Sequence, residues 1–342
     1  MNGKQIQDSP VFQELHQVIV YNKIFIKFIK QFKINSYGKV EISGNMEYNK
    51  KRNYAQEVKS LKKGLILEGG AMRGLFTAGV LDVMMENGIV YDGAIGVSAG
   101  AAFGCNYKSG QIGRVIRYNT KFIRDKRYCG FRVLLRTGNF YSTEFCYKEV
   151  PLKYDIFDFD AYRKNPMDFY VVCTDIEAGK AVYHKFEGDK ETGFDWIRAS
   201  ASMPIVSQIV EIDGKKLLDG GITDSVPLKY FQSIGYDKNV VILTQPKGYV
   251  KKKNRFIPLI KHIYKNYPNM VEAIKNRHNV YNDTLDYISE QEKMGTAFVI
   301  QPKEDLPVKR TERSPEKLRE TYEIGRQIAL ELLPDILEYL NR

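Results

Sequence analysis

The residues Gly96-Val97-Ser98-Ala99-Gly100 form a G-x-S-x-G element, the pattern in which a nucleophilic serine sits on a tight turn between a strand and a helix. The flanking glycines permit the crowded backbone. Helix-terminal NH groups and the positive end of the helix dipole then face negative charge developing beside the serine. Average glycine and serine frequencies produce this pattern by chance in about one chain in ten of this length. Context raises it here: the short strand Tyr91 to Gly96 leads into it, and Ala101 to Tyr107 reads as a small-residue helix start. A second stretch, Glu68-Gly69-Gly70-Ala71-Met72-Arg73-Gly74, follows the short buried strand Gly64 to Leu67. Acyl transfer needs backbone NH donors aimed at the oxyanion of a tetrahedral intermediate, and a glycine-rich strand-to-helix loop supplies them. The competing reading is a nucleotide phosphate loop. Gly74 is not followed by Lys-Ser or Lys-Thr, however, and dinucleotide spacing requires glycine where Ala71 stands. Arg73 either adds positive charge near such a site or is a solvated side chain at a helix start.

A serine nucleophile needs a base, and the histidines are few: His16, His184, His262 and His278. None lies in a loop of catalytic type, so a carboxylate is the better candidate. Asp219 ends the apolar run Lys216-Leu217-Leu218 and shares the strand-end placement of Ser98. An Asp-Gly turn is its plainer reading, and Asp92-Gly93 and Asp213-Gly214 show that such dipeptides recur here. Asp219 differs in being followed by two glycines, Gly220 and Gly221, and by Thr223 to Leu228, which turns the chain into another helix.

These motifs need elements to hold them. Between Leu75 and Met85 apolar residues recur with a period near 3.6, and Asn87-Gly88 closes that helix. Further strands are expected at Phe169 to Thr174, Ala181 to Phe186, Val206 to Ile212, Lys216 to Leu218 and Val240 to Thr244. Strand, glycine loop, helix, strand, sharp turn, helix is the order of an α/β domain with a mainly parallel sheet, whose function gathers at strand C-termini. Ile257 to Tyr287 and Pro315 to Tyr339 read as helices. The expected organisation is an N-terminal appendage over 1–60, a core domain over 64–245 and a mainly helical extension over 246–342.

The three motifs, in this order and separation, resemble the patatin-like phospholipase family, and within it a bacterial branch that begins Leu-Glu-Gly-Gly and carries a helical C-terminal extension. Ala199-Ser200-Ala201-Ser202-Met203-Pro204 also looks like the segment that family places shortly before its catalytic aspartate. The resemblance implies a three-layer α/β fold and a lipid acyl hydrolase, with Ser98 as nucleophile and Asp219 as base. It also implies an oxyanion hole at Gly69, Gly70 and Ala71, flanked by Arg73, Gly74, Gly96, Gly100, Gly220 and Gly221. Neither histidine nor metal nor cofactor is required. Where this chain has Ala71 the family usually has a third glycine, so the backbone there must avoid a left-handed conformation or accept strain. Acyl transfer to another acceptor is the alternative activity; a membrane-surface binding protein with a vestigial site is the alternative class.

Charge and composition bound the partners. Residues 1–63 hold twelve Lys or Arg against five Asp or Glu, which places +7 of the net +11 there. A second basic concentration runs from Lys251-Lys252-Lys253 through Arg255, Lys261, Lys265, Lys275 and Arg277, interleaved with Phe256, Tyr264, Tyr267 and Tyr281. Such surfaces favour anionic lipid, although a solvated helix face with its aromatics turned inward has the same pattern. Nucleic acid is not expected, since no recognition motif accompanies the charge. Between Val18 and Ile34, Lys23, Lys27 and Lys30 recur on one helical face opposite Phe25, Phe28, Ile29 and Phe32, as in a helix lying on a membrane surface. Met46 is an alternative start. The four cysteines form no CxxC pair and read as reduced thiols of a cytoplasmic protein in peripheral contact with membrane. No acidic cluster has calcium-loop spacing.

Overall fold

Leu65, Ile66 and Leu67 are fully buried, and they alternate: Leu65 and Leu67 pack to one side of the sheet and Ile66 to the other. A strand buried on both faces belongs to a mainly parallel sheet between two layers of helices. The computed structural model describes residues 32–34, 40–42, 61–189 and 193–342, and residues from Leu61 onward form one compact unit.

Its strands are β1 (Lys63–Leu67), β2 (Gly93–Val97), β3 (Asp168–Asp175), β4 (Lys180–Lys185), β5 (Val210–Ile212), β6 (Lys215–Asp219), β7 (Lys238–Ile242) and β8 (Ala297–Ile300). They join in the order β8-β7-β1-β2-β3-β6-β5, with β4 also paired to β3. The run from β8 to β3 is parallel, whereas β4 and β6 pair with β3 antiparallel. The helices are α1 (Gly74–Glu86), α2 (Ala99–Lys108), α3 (Arg114–Phe122), α4 (Phe131–Thr137), α5 (Phe159–Lys164), α6 (Gly193–Ser200), α7 (Leu228–Ser233), α8 (Ile257–Ile263), α9 (Pro268–Lys293) and α10 (Pro315–Asn341), with a π-helical segment at Phe145–Tyr154. Helices α1, α2 and α10 cover one face of the sheet, through Val80, Met84, Ala101 and Ile336. Helices α7 and α9 cover the other, through Leu228, Phe231, Tyr281 and Ile288.

Every residue of α1 from Gly74 to Met84 is buried, because α10 closes over its outer side. The two helices cross where each has a glycine. A Cβ on Gly79 would lie 2.1 Å from the Tyr322 carbonyl oxygen, and one on Gly325 would lie 2.1 Å from that of Phe76. Tyr322 then donates to the buried Asp82 at 2.6 Å, and Arg326 pairs with Glu86 at 2.8 Å. Alanine is the better helix former by about 1 kcal/mol, yet Gly325→Ala is expected to destabilise by about 1–3 kcal/mol because backbone must move to admit the methyl group. Urea unfolding measures this, and a gain in stability would contradict the close crossing.

Several expectations change. The helix drawn from Ile257 to Tyr287 is two helices, broken before Pro268, which starts α9 because proline fits a first helical turn but not an interior one. The strand expected from Val206 is only Val210–Ile212. The short run Ala297–Ile300 adds β8 beside β7, so residues beyond 245 complete the sheet. At the N-terminus, Phe32–Ile34 pairs antiparallel with Val40–Ile42. Each triplet alternates apolar, charged, apolar, a period of two, so the surface helix does not extend through Phe32. The rest of that helix, and Met46, lie outside the described residues. Among the described residues no helix is long and apolar enough to cross a membrane.

Candidate active site

Ser98 follows β2 directly and caps α2, with φ 55° and ψ −119°. A non-glycine residue so placed costs on the order of 1–3 kcal/mol and persists only where its surroundings impose it. They do so here. The Ser98 NH donates to Ser200 Oγ at 2.8 Å, Ser200 Oγ donates onward to the Val172 carbonyl at 2.6 Å, and the Ser98 carbonyl accepts from Ala101 and Ala102. The flanking glycines allow the turn: a Cβ on Gly96 would lie 2.5 Å from the Gly100 carbonyl oxygen, and one on Gly100 would lie 2.4 Å from that of Leu67.

Sheet register brings Asp219 to the same height. Val97 pairs with Val172, so Ser98 falls level with Cys173, and Cys173 pairs with Asp219 on the far side of β3. Two strand spacings separate their backbones by about 10 Å, a gap the two side chains close by pointing toward each other. Asp219 is held by its own NH to the Ser202 carbonyl (2.8 Å), by Thr174 Oγ1 on its carbonyl (2.9 Å) and by the Gly221 NH on Oδ1 (2.8 Å). Burial raises its pKa above the ordinary carboxylate value, opposed by hydrogen bonding with the Ser98 side chain, the Gly221 NH, and the charges of Arg277 and Arg310. Gly220 packs where a Cβ would meet the Val172 carbonyl.

The glycine loop faces this pair. Gly69 passes so close that a Cβ would lie 2.9 Å from the Val97 carbonyl oxygen and 3.0 Å from Ser98 Cβ, while Gly74 abuts Ala99. Gly69, Gly70 and Ala71 line the cleft at Ser98, and among the described residues their NH groups meet no protein acceptor. Glu68 anchors the loop from below: buried, it accepts from the Thr244 NH and Oγ1 and from the Tyr281 hydroxyl. Ala71 takes the strained alternative, with φ 50°. Left-handed backbone costs a non-glycine residue about 1–2 kcal/mol, and glycine gives back about 0.4–1 kcal/mol through the freer unfolded chain. Ala71→Gly is therefore expected to leave stability equal or slightly higher. A clear drop in melting temperature would contradict the conformation.

Two spaces meet at Ser98. On one side an apolar pocket of about 100 Å³ is lined by Met72, Phe103, Tyr118, Tyr128, Tyr141 and Tyr147 among others. Among the described residues its one lining cation is Arg114, which is occupied by Asn106 Oδ1 (2.7 Å) and Asp155 (3.3 Å). On the other side an open cleft of about 460 Å³ holds Asp219 and the glycine loop, with Arg73, Lys251, Arg277 and Arg310 on its wall. Arg73 is thus at the site rather than merely solvated, and its Nε is buried without a partner. Burial lowers its pKa, with Glu68 opposing. Among the described residues no histidine lines either space; His184 instead stacks on Trp196 at 3.8 Å. No group of three potential ligands for a metal occurs among them either. A serine hydroxyl beside a buried carboxyl and a row of free NH groups has the parts for nucleophilic attack on a carbonyl.

Sequence reasoning places Ser98, Asp219 and the loop, and the structure brings all three together. In the sequence Lys251 and Arg277 stand in the basic concentration, Glu68 heads the glycine loop and Ser200 lies in the small-polar run, but nothing there assigns them their places as cleft cations, anchor and buttress, and Arg310 carries no signal.

The chain carries a patatin-like phospholipase domain: that family's model matches residues 65–231. A domain of unknown function, DUF6363, follows over residues 267–341. The chain is 29% identical over 280 residues to the uncharacterized protein YjjU of Escherichia coli, covering 77% of this chain and 74% of that protein. It is 27% identical over 228 residues to lysophospholipase NTE1 of Meyerozyma guilliermondii, covering 63% of this chain but only 15% of that protein. An uncharacterized NTE family protein of Mycobacterium bovis is 27% identical over 183 residues, 54% of this chain and 49% of that one. The chain thus spans half or less of these last two. Among solved structures, VipD from Legionella pneumophila aligns with a TM-score of 0.42 and 12% identity, over 89% of this chain and 70% of that one.

Proposed function

We propose that this chain is a lipid acyl hydrolase in which Ser98 is the nucleophile and Asp219 the general base. The observation that carries the reading is the register across β3, which sets the strained Ser98 level with the buried Asp219 beside unengaged NH groups and an apolar pocket. Asp219 takes the proton of Ser98 Oγ, and Oγ bonds to the ester carbonyl carbon. The NH groups of Gly69, Gly70 and Ala71 hold the resulting oxyanion. Collapse breaks the bond to the alcohol, which leaves with the proton from Asp219. Water then gives a proton to Asp219 and attacks the acyl-enzyme, and the fatty acid departs as Ser98 recovers its proton. The raised pKa of Asp219 brings its basicity closer to neutrality than an exposed aspartate allows.

Similarity to a lysophospholipase makes single-chain acyl lipids the first substrates to try. The test is release of fatty acid from such lipids by the purified chain, together with labelling by a fluorophosphonate and mapping of the labelled peptide. Label at Ser98 with fatty acid released supports the reading. A folded chain that neither reacts nor turns over any acyl ester would overturn it.

A further inference from the structure

The cleft wall opposite the apolar pocket is built from residues far apart in sequence: Arg73 at the start of α1, Lys251 after β7, Arg277 on α9 and Arg310 before α10. Among the described residues none of the four has a carboxylate within 4.0 Å. The two carboxylates nearby are otherwise engaged. Glu68 spends its oxygens on Thr244 and Tyr281, all neutral donors, and Asp219 is taken by Gly221 and Ser98. Arg277 is fixed in place by its Nε on the Gly221 carbonyl and by a longer contact to Ser225 Oγ at 3.4 Å. Lys251 Nζ sits 3.8 Å from the centre of the Tyr281 ring, a contact that holds a cation but does not neutralise it. Arg310 is exposed at the mouth.

Unpaired like charges held together are costly, and they recur where an anionic ligand supplies the missing charge. Lys251 shows the cost. Burial lowers its pKa to about 7, reinforced by Arg277, Arg310 and Arg73 and opposed by Glu68. An anion set among these groups would keep Lys251 charged.

The geometry points to a phosphate subsite, formed by Lys251, Arg277 and Arg310 beside Arg73, that selects acyl lipids whose alcohol portion carries a phosphomonoester with no compensating ammonium group. This deepens the proposed function and rests on it: the acyl chain enters the aromatic pocket, the ester carbonyl meets Ser98, and the phosphate, a few bonds away across glycerol, reaches the cationic wall. A choline-capped head group would bring its own positive charge against that wall.

The test uses the full chain and non-hydrolysable ether analogues, titrated calorimetrically as monomers: an alkylglycerol phosphate, the uncharged alkylglycerol, the choline-capped phosphodiester and inorganic phosphate. The alkylglycerol phosphate is expected to bind about tenfold or more tighter than the uncharged or choline-capped ether. Lys251→Met and Arg310→Gln should each shrink that ratio several-fold; Arg310 is exposed and, among the described residues, makes no hydrogen bond or ion pair that folding needs. Equal binding of charged and uncharged ethers, or a ratio unmoved by both substitutions, would overturn the subsite. Inorganic phosphate binding as tightly as the ether phosphate would also overturn it, since the site would then serve a free anion. Fatty-acid release from the matching esters is read separately. Selective ether binding without ester turnover would sink the hydrolase reading alone, and turnover without charge selectivity would sink the subsite alone.

Discussion

Ser98→Ala is expected to lower ester turnover by about 10³-fold or more and to abolish fluorophosphonate labelling. The substitution removes one oxygen and little else. Alanine accepts the φ of 55° no worse than serine does, and the backbone NH at position 98 keeps its bond to Ser200 Oγ. A folding defect is therefore a poor explanation for lost activity, and an unchanged thermal unfolding profile would exclude it. Residual turnover would come from the loop NH groups and from binding alone. Turnover kept within a few-fold of the parent chain would remove Ser98 from the chemistry.

Asp219→Asn separates catalysis from stability. Loss of the base is expected to cost about 10²- to 10⁴-fold in kcat. Stability should move the other way. The folded pKa of Asp219 lies above its unfolded value because burial disfavours the ionised form. Its contribution to folding is therefore full at low pH and is lost as pH rises through the folded pKa. At pH 7 the parent chain bears the cost of a buried carboxylate and the asparagine variant does not, while the asparagine oxygen still accepts from the Gly221 NH. The variant should thus melt at an equal or higher temperature at pH 7, and this advantage should disappear as pH falls through the folded pKa. The same shift places the acid limb of kcat/KM for the parent chain above the usual aspartate range. A variant that is both active and less stable at pH 7 would contradict the assignment and the sign together.

The motifs are legible in the sequence because each is a local object. Strand, glycine loop and helix over 64–86, and strand, elbow and helix over 91–107, are units whose apolar runs, glycines and helical period lie within a few residues of one another. Gly69, Gly100 and Gly220 are glycines because backbone or Ser98 Cβ crowds where a side chain would stand, and that need is visible as the pairs Gly69-Gly70 and Gly220-Gly221 after strands and as the second glycine of the serine turn. Short apolar runs are less legible. Ala297–Ile300 has four residues and no alternation, which suits a buried strand or a helix fragment equally, and only its pairing with β7 decides.

By itself the sequence determined the α/β order, the strained serine turn, the donor loop and the candidacy of Asp219, since these rest on backbone demands that particular residue types alone can meet. Tertiary structure decided that Ser98 and Asp219 meet, because height across a sheet follows from register through β3 and no spacing along the chain encodes it. It also decided the nature of the cleft. Lys251 sits in a lysine run and Arg277 on a polar helix, the same appearance a solvated face presents, and Arg310 stands in a loop with no periodic signal. Their approach to Ser98 depends on α9 and the C-terminal segment packing against the sheet, and burial and charge pairing exist only once that packing has formed.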